Sequence, residues 1–350
     1  RVIVTGCLAE RFRNEFEGAD EVDLIRGVDH YDEVADFFDF SRPLLLGKKN
    51  RTYSHSERVL FGSHYEYLKI GEGCSHRCTF CTIPSIKGKL RSKEIKDIIK
   101  EAETLKREGV KELILISQDT ADYGKDLFGE SKLLDLLAEL DKLDFPWIRV
   151  HYLNPGIITP RFVERFFRFN SVLPYFDVPL QHISPRILKL MGRDEIGENF
   201  YRGLEMINDY GGVLRTSFII GFPSEEKEDF LMIRDFLEKY RTGRVVFFPY
   251  EDECSLVESL SLFPVERETA MKRIEELETI ISRNLFSNFP AGKREEVIID
   301  REEKGVFFGR TFRDSPNIDL EIRITGKRLK PGIFKKVKLF VKDGIFRGKA

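Results

Sequence analysis

Three cysteines within one short loop constrain this chain more than anything else in it: Gly73-Cys74-Ser75-His76-Arg77-Cys78-Thr79-Phe80-Cys81. Closely spaced thiolates are soft ligands, suited to iron–sulfur clusters or to zinc. Three ligands rather than four is the informative part. A four-iron cluster held by three thiolates leaves one iron open to a substrate or cofactor, as catalytic metal sites keep one position open. Two plainer readings compete. Free cysteines pack as small hydrophobes, but this loop is polar and the whole chain has five cysteines. A structural zinc site would need His76 or a distant residue as its fourth ligand.

Five cysteines, three of them clustered, make no disulfide framework. A thiolate cluster fits a reducing cytoplasm, which is the expected location. No apolar run approaches the ~20 residues of a membrane span, and no signal-peptide pattern opens the chain. The first residue is Arg1, and Val2-Ile3-Val4 reads at once as a strand, so an upstream piece is expected. Net charge is −2 and names no partner, but its distribution is uneven. Residues 290–350 carry 16 Lys/Arg against 9 Asp/Glu, a surplus of seven, while the rest of the chain has a deficit of nine. That asymmetry predicts a C-terminal module that meets an anionic partner; a solvated charged surface is the plainer account.

Residues 1–40 read as the tail of an α/β unit, with a second short strand at 22–28 and a helix over 31–38. Residues 41–63 carry Pro, Gly, Asn, Ser and basic residues with little periodicity and read as a linker. After it, strands and helices alternate. Strands are predicted at 66–70, 112–117, 147–153, 175–180, 214–220 and 244–249. Between them lie helices at 133–143, 160–169, 185–191 and 198–210, one capped by Ser92, one begun by Ser224, and a long charged helix at 265–289. Six strands separated by helices imply a parallel sheet, an open one or a barrel. Near-continuous apolar strands such as Leu113–Ile116 fit strands covered on both faces. In either architecture the chemistry belongs at the C-terminal strand ends. The last sixty residues differ: five short alternating strands with glycine turns predict a small antiparallel barrel.

Those strand ends carry the remaining candidates. The second is followed by Ser117-Gln118-Asp119-Thr120, polar groups suited to a polar ligand. The fourth leads to Gln181-His182, where His182 is a ligand, a proton donor or a structural histidine. Gly221-Phe222-Pro223 follows the fifth, and Gly there permits close backbone approach to a flat ligand. Phe80 can shield a cluster, stack on a purine or fill a core. Lys87, Lys89 and Arg91 form a basic run, and Cys254 in its acidic stretch has no expected role. No Gly-rich phosphate loop is present, which leaves nucleoside triphosphate chemistry without support.

Taken together these residues resemble the radical S-adenosylmethionine (SAM) enzymes, whose three-cysteine loop matches Cys74, Cys78 and Cys81. The chain looks most like the methylthiotransferases among them. The features that match are Gly6-Cys7-Leu8, the run from Ile83-Pro84-Ser85 to Arg91-Ser92, Gly221-Phe222-Pro223, and a C-terminal barrel of the TRAM type. The strings Ser117-Gln118-Asp119-Thr120, Tyr123-Gly124, the run from Tyr175 to His182 and the run from Leu188 to Arg193 are similar to the RimO branch. Ser224, where the family usually has Gly, and Cys254, where relatives usually read Glu-Glu-Gly-Thr, depart from the pattern.

The resemblance implies a partial (βα)6 TIM-like barrel at 64–289 and an OB-like TRAM barrel at 290–350. It implies a remnant of the N-terminal methylthiotransferase domain at 1–40, so that the sequence is N-terminally incomplete. It implies a [4Fe-4S] cluster on Cys74, Cys78 and Cys81, and SAM held by Gln118, Asp119, Thr120, Gln181, Arg215 and Glu225. Phe80, Gly221, Phe222 and Pro223 would lie near the adenine. The catalytic work is done by the clusters and SAM, with no side chain as catalyst. A second [4Fe-4S] cluster is expected in a longer form of the protein, with Cys7 its last ligand; two further cysteines have no counterpart in this sequence. The implied reaction adds a methylthio group to the β-carbon of an aspartate in a small-subunit ribosomal protein, with an electron donor as a further partner and RNA contact through 290–350. Two alternatives are a transfer-RNA adenosine methylthiotransferase and, from another class, a non-catalytic RNA-binding protein with a structural metal.

Overall fold

A computed structural model describes residues 2–28, 30, 44–45 (backbone alone), 64–240 and 242–350. The predicted helix at 31–38 and most of the predicted linker lie outside these residues. The first unit is a small α/β piece: β1 (Ile3–Thr5), α1 (Cys7–Arg11), α2 (Arg13–Phe16), β2 (Leu24–Arg26) and β3 (Leu44–Leu45). The three strands are parallel in the order β1-β2-β3. The last of them falls inside the stretch read as a linker.

The central unit begins with β4 (Tyr65–Lys69), β5 (Gly71–Glu72), α3 (Ile83–Lys87), β6 (Arg91–Ser92), α4 (Ile95–Arg107) and β7 (Glu112–Ile116). It continues through α5 (Lys125–Phe128), α6 (Leu133–Asp141), β8 (Trp147–Val150), α7 (Pro160–Phe166), β9 (Val172–Asp177), α8 (Pro185–Leu190) and α9 (Glu198–Asp209). It ends with β10 (Val213–Ile220), α10 (Lys227–Tyr240), β11 (Arg244–Pro249), α11 (Leu256–Ser259) and α12 (Arg267–Asn288). Strands β4, β7, β8, β9, β10 and β11 form one sheet in chain order, every pair parallel. Each crossover carries a helix, as parallel pairing requires. Among the described residues β4 and β11 do not pair with each other, so the sheet is a TIM-like barrel left open along one side.

Local signals explain most element boundaries. In α4, Ile98, Ala102 and Leu105 recur on one buried face. Its C-terminus is a Schellman turn, with Gly109 N–H to the Lys106 carbonyl at 3.0 Å and Val110 N–H to the Leu105 carbonyl at 3.1 Å. Two predicted caps do not form. Ser92 lies in β6, where its Oγ accepts the Gly124 N–H, and α4 starts after Glu94. Ser224 adopts a left-handed φ of 66° and its Oγ accepts the Phe263 N–H, so α10 starts later, at Lys227. Both serines are engaged by segments distant in sequence, which a local reading does not see.

The third unit is a closed five-stranded barrel of β12 (Arg294–Glu303), β13 (Val306–Arg310), β14 (Ile322–Thr325), β15 (Phe334–Lys342) and β16 (Ile345–Lys349). Alternation puts Val337 and Leu339 inside and Lys336 and Lys338 outside. The expectation of an all-antiparallel barrel fails at one seam: β14 and β16 are parallel, since β15 lies on the far side of β16 and the chain skips one position between them.

This barrel closes against the concave side of the open sheet through buried ions. Arg149 donates from Nε to Glu112 Oε1 at 2.6 Å and from Nη1 to the Phe312 carbonyl at 3.0 Å. Arg310 of the small barrel pairs with the same Glu112 and, through Nε, with Asp300 at 3.1 Å. Alongside, Asp177, Arg215 and Arg244 stand in register across three strands. His151 links Asp177 (2.6 Å) to Ser315 (2.9 Å), and Arg244 pairs with Asp314 at 2.7 Å. Burial pushes the Glu112 carboxyl upward, but Arg149 and Arg310 outweigh it and leave it below the usual carboxylate range. Removing one partner of such a pair strands the other charge in low dielectric, which costs about 3–5 kcal/mol. Arg310→Ala is therefore expected to destabilise the protein by roughly that amount, read as a lowered urea midpoint; an unchanged midpoint would show that the contact carries no structural load.

Candidate metal and cofactor site

The cysteine loop runs from β5 to α3 at the C-terminal end of β4. Its entry is tight. Gly73 has φ of +80°, and a Cβ there would lie 2.3 Å from the Lys89 carbonyl oxygen. Cys74 N–H bonds the Gly88 carbonyl at 3.0 Å, and the Leu90 N–H bonds Ser75 Oγ at 3.3 Å. The exit is held from α8: Thr79 N–H donates to the Met191 carbonyl at 3.0 Å and its hydroxyl to the Leu190 carbonyl at 2.8 Å. All three cysteines are free and partly buried.

Burial pushes the Cys74 thiol up to about 11; the His76 N–H works against this, while Asp119, Cys78 and Cys81 add to the rise. Cys78 and Cys81 are raised in the same way, chiefly by burial. Three soft donors, half-buried and close enough to repel one another as thiolates, suit a group that brings positive charge. The donor set fits an iron–sulfur cluster.

The other predicted residues are distributed unevenly. Phe80 packs against a small apolar cluster of Ile187, Met191, Phe222 and Leu256, which Cys254 also joins. Gly221, Phe222 and Pro223 are buried at the end of β10. Gly221 has φ of +78°, and a Cβ there would lie 2.7 Å from Ala270 Cβ, so α12 lies where a side chain would go. Glu225 Oε2 accepts the Gly221 N–H at 2.8 Å, and Oε1 pairs with Arg273 of α12. His182 is wholly buried, its Nδ1 accepting the Ile183 and Ser184 N–H groups at 2.9 Å and its Nε2 standing 3.6 Å from Glu225. Gln181 has a left-handed φ of 66° and bridges to Phe218 through its backbone.

Four candidates are engaged elsewhere. Gln118 Nε2 donates to Glu72 at 2.7 Å, and Asp119 Oδ2 meets His76 Nε2 at 2.7 Å. The Thr120 hydroxyl is donated to the His151 carbonyl at 2.6 Å. Arg215 bonds Asp177 at 2.9 Å and Asp319 at 3.4 Å, within the interface to the small barrel. Sequence reasoning passed over Glu72, 1% exposed, which also pairs with Lys69 and Lys87, and Arg273; no local pattern marks either. Cys7 is exposed on α1, and α1 packs against α3, the helix that follows the cysteine loop. A cavity of about 290 Å³ lined by Ile207, Gly212, Tyr240, Arg244 and Arg313 lies at the start of β10 and β11, away from the thiols.

A parallel open barrel with three thiols in the loop after its first strand defines a radical SAM enzyme. Residues 68–237 match the radical SAM superfamily, and residues 291–344 match the TRAM domain. Ribosomal protein uS12 methylthiotransferase RimO of Thermotoga petrophila is 38% identical over 335 residues, 93% of this chain and 78% of its own length. The namesake proteins of Thermosipho melanesiensis and Clostridioides difficile are 39% and 36% identical, each covering 79% of the relative and 95% and 97% of this chain. Among solved structures, Escherichia coli coproporphyrinogen III oxidase (HemN), a radical SAM enzyme, superposes with a TM-score of 0.47 at 14% identity, over 63% of this chain and 53% of that one. The chain belongs to the RimO family of radical SAM methylthiotransferases.

Gly221→Ala meets both a forbidden backbone region and Ala270. It is expected to lower stability by roughly 1–3 kcal/mol. Adding Ala270→Gly should return the steric part and leave the φ part, a difference that thermal unfolding of Gly221→Ala, Ala270→Gly and the double variant resolves; a neutral Gly221→Ala would refute the close approach.

Proposed function

We propose that this chain adds a methylthio group to ribosomal protein uS12, at the β-carbon of an aspartate. The observation that carries the proposal is the three-thiol loop set at the mouth of an open parallel barrel, in a chain of this family. When bound, the cluster and SAM supply one-electron cleavage chemistry able to take hydrogen from an unactivated carbon, which acid–base catalysis cannot do. The chain's own residues hold and shield that chemistry. Cys74, Cys78 and Cys81 would hold the cluster through their three thiolates. Phe80 and Phe222 supply an apolar wall beside them. Backbone groups of Gln181 and Gly221 are bonded to the β10 backbone and to Glu225, with Ala270 filling the space beside Gly221, so these positions fix the strand ends around the cofactor. The small barrel covers the concave side and keeps water from a reactive centre.

Sulfur insertion needs a second cluster. Cys7 is proposed as one of its ligands, with two cysteines from outside residues 1–350. The packing of α1 on α3 supports this, since it brings the two thiolate-bearing segments to one side of the molecule. The outward lysines of β15, Lys336 and Lys338, suit contact with ribosomal RNA around the protein substrate. A low-potential electron donor completes the set of partners.

The test is anaerobic reconstitution with iron and sulfide, followed by incubation with SAM, a reductant and either uS12 or transfer RNA. SAM cleavage and a methylthio mass gain on uS12 are expected once both clusters are present, and Cys78→Ala should abolish both. Modification found in transfer RNA and not in uS12 would overturn the substrate assignment.

A further inference from the structure

In the loop after β7, Ser117 Oγ and Gln118 Oε1 are buried without a hydrogen-bond partner, while two successive side chains of the loop reach back to the cysteine loop. Gln118 holds Glu72, two residues before Cys74. Asp119 holds His76, midway between Cys74 and Cys78. The anchor is itself fixed. Asp119 is 6% exposed, and its second oxygen accepts the Ala121 N–H at 2.9 Å. Asp122 stands 3.2 Å from the same imidazole nitrogen and is held in turn by Lys125 at 2.5 Å.

The cysteine loop thus has three attachments from three different elements. The segment at 88–90 holds Cys74 and Ser75, the end of α8 holds Thr79, and the loop after β7 holds His76. The third matters for the metal because of the His76 backbone, whose N–H favours the Cys74 thiolate against the burial that raises it. Hydrogen bonds to cluster sulfurs set reduction potential, and outer-shell partners set metal affinity. A ring clamped at one end fixes the direction of the amide at the other.

We propose that His76, clamped by Asp119 and Asp122, is a positioning residue for the cluster: it fixes the span between Cys74 and Cys78 and aims its own N–H at the Cys74 sulfur. Asp119 then serves the metal through His76 rather than SAM directly. The proposal rests on the reading of Cys74, Cys78 and Cys81 as cluster ligands.

The experiment compares His76→Ala, His76→Gln, Asp119→Ala and the His76→Ala/Asp119→Ala double variant with the wild-type chain, each checked for an unchanged thermal transition. In reconstituted protein, His76→Ala and Asp119→Ala should lose iron to a chelator about tenfold faster than wild type. Both should also show a more negative reduction potential. His76→Gln, which keeps a side-chain donor, should recover much of both. The double variant should be no worse than either single, because the two residues form one contact. In the metal-free proteins, amide hydrogen exchange across 74–78 should be faster in His76→Ala than in wild type. Wild-type rates, potential and exchange in His76→Ala would overturn the clamp while leaving the cluster assignment intact. A wild-type chain that takes up no cluster would overturn both, and additive losses in the double variant would overturn the coupling of the two residues.

Discussion

The buried pairing of Glu112 with both Arg149 and Arg310 is the contact on which the domain arrangement depends. A six-stranded sheet that stops short of closure leaves its concave side exposed. The small barrel covers that side through an apolar cluster of Trp147, Leu173 and Tyr175 with Ile298, Phe312 and Phe334, and beside it through buried ions. Glu112 and Arg149 are wholly buried and Arg310 is 1% exposed. Such an arrangement gains little net stability over a hydrophobic one, but it tolerates very few alternative placements. The flanking pairs Arg244–Asp314 and Arg215–Asp319, with the His151–Ser315 bond, repeat the same constraint along neighbouring strands. The small barrel is therefore held to the sheet by several buried pairs as well as presenting a basic surface.

A second constraint, at the other end of the strands, is the seating of the metal loop. Its attachments come from α8, from the segment beside β6 and from the loop after β7, so the cysteine geometry is set by elements folded far from it in sequence. The apolar cluster that contains Phe80 and Phe222 adjoins the loop, and Glu225 ties the Gly221 turn to α12 through Arg273. Few of these groups carry chemistry. Their task is to hold thiols and backbone donors still, so that a cofactor meets a prearranged surface.

Much of the fold was legible because its signals are local. The parallel sheet follows from apolar runs separated by amphipathic helices, and the small barrel from strict alternation such as Val337 and Leu339 inside with Lys336 and Lys338 outside. Boundaries that depended on a single polar residue fared worse. Ser92 and Ser224 look like helix caps, and each is instead bonded across the fold, to Gly124 and to Phe263. Site residues divided along the same line. Strand ends could be located from pattern, but Gln118, Asp119, Thr120 and Arg215 are all polar groups at plausible places whose partners lie on other elements. Glu72 and Arg273 were passed over because a lone charged residue carries no periodicity.

The sequence by itself determined the ligand chemistry and the layout: three thiolates at a spacing that suits one cluster, a parallel α/β core and a basic β-rich end. These rest on covalent spacing and on the periodicities of helix and strand, which the chain carries wherever it folds. Only the tertiary structure decided what the polar side chains do. Hydrogen-bonding capacity is written in each residue, but the partner is chosen by proximity. Proximity put Arg215 against Asp177 and Asp319, Gln118 on Glu72 and Asp119 on His76, pairings that no local pattern in the chain marks.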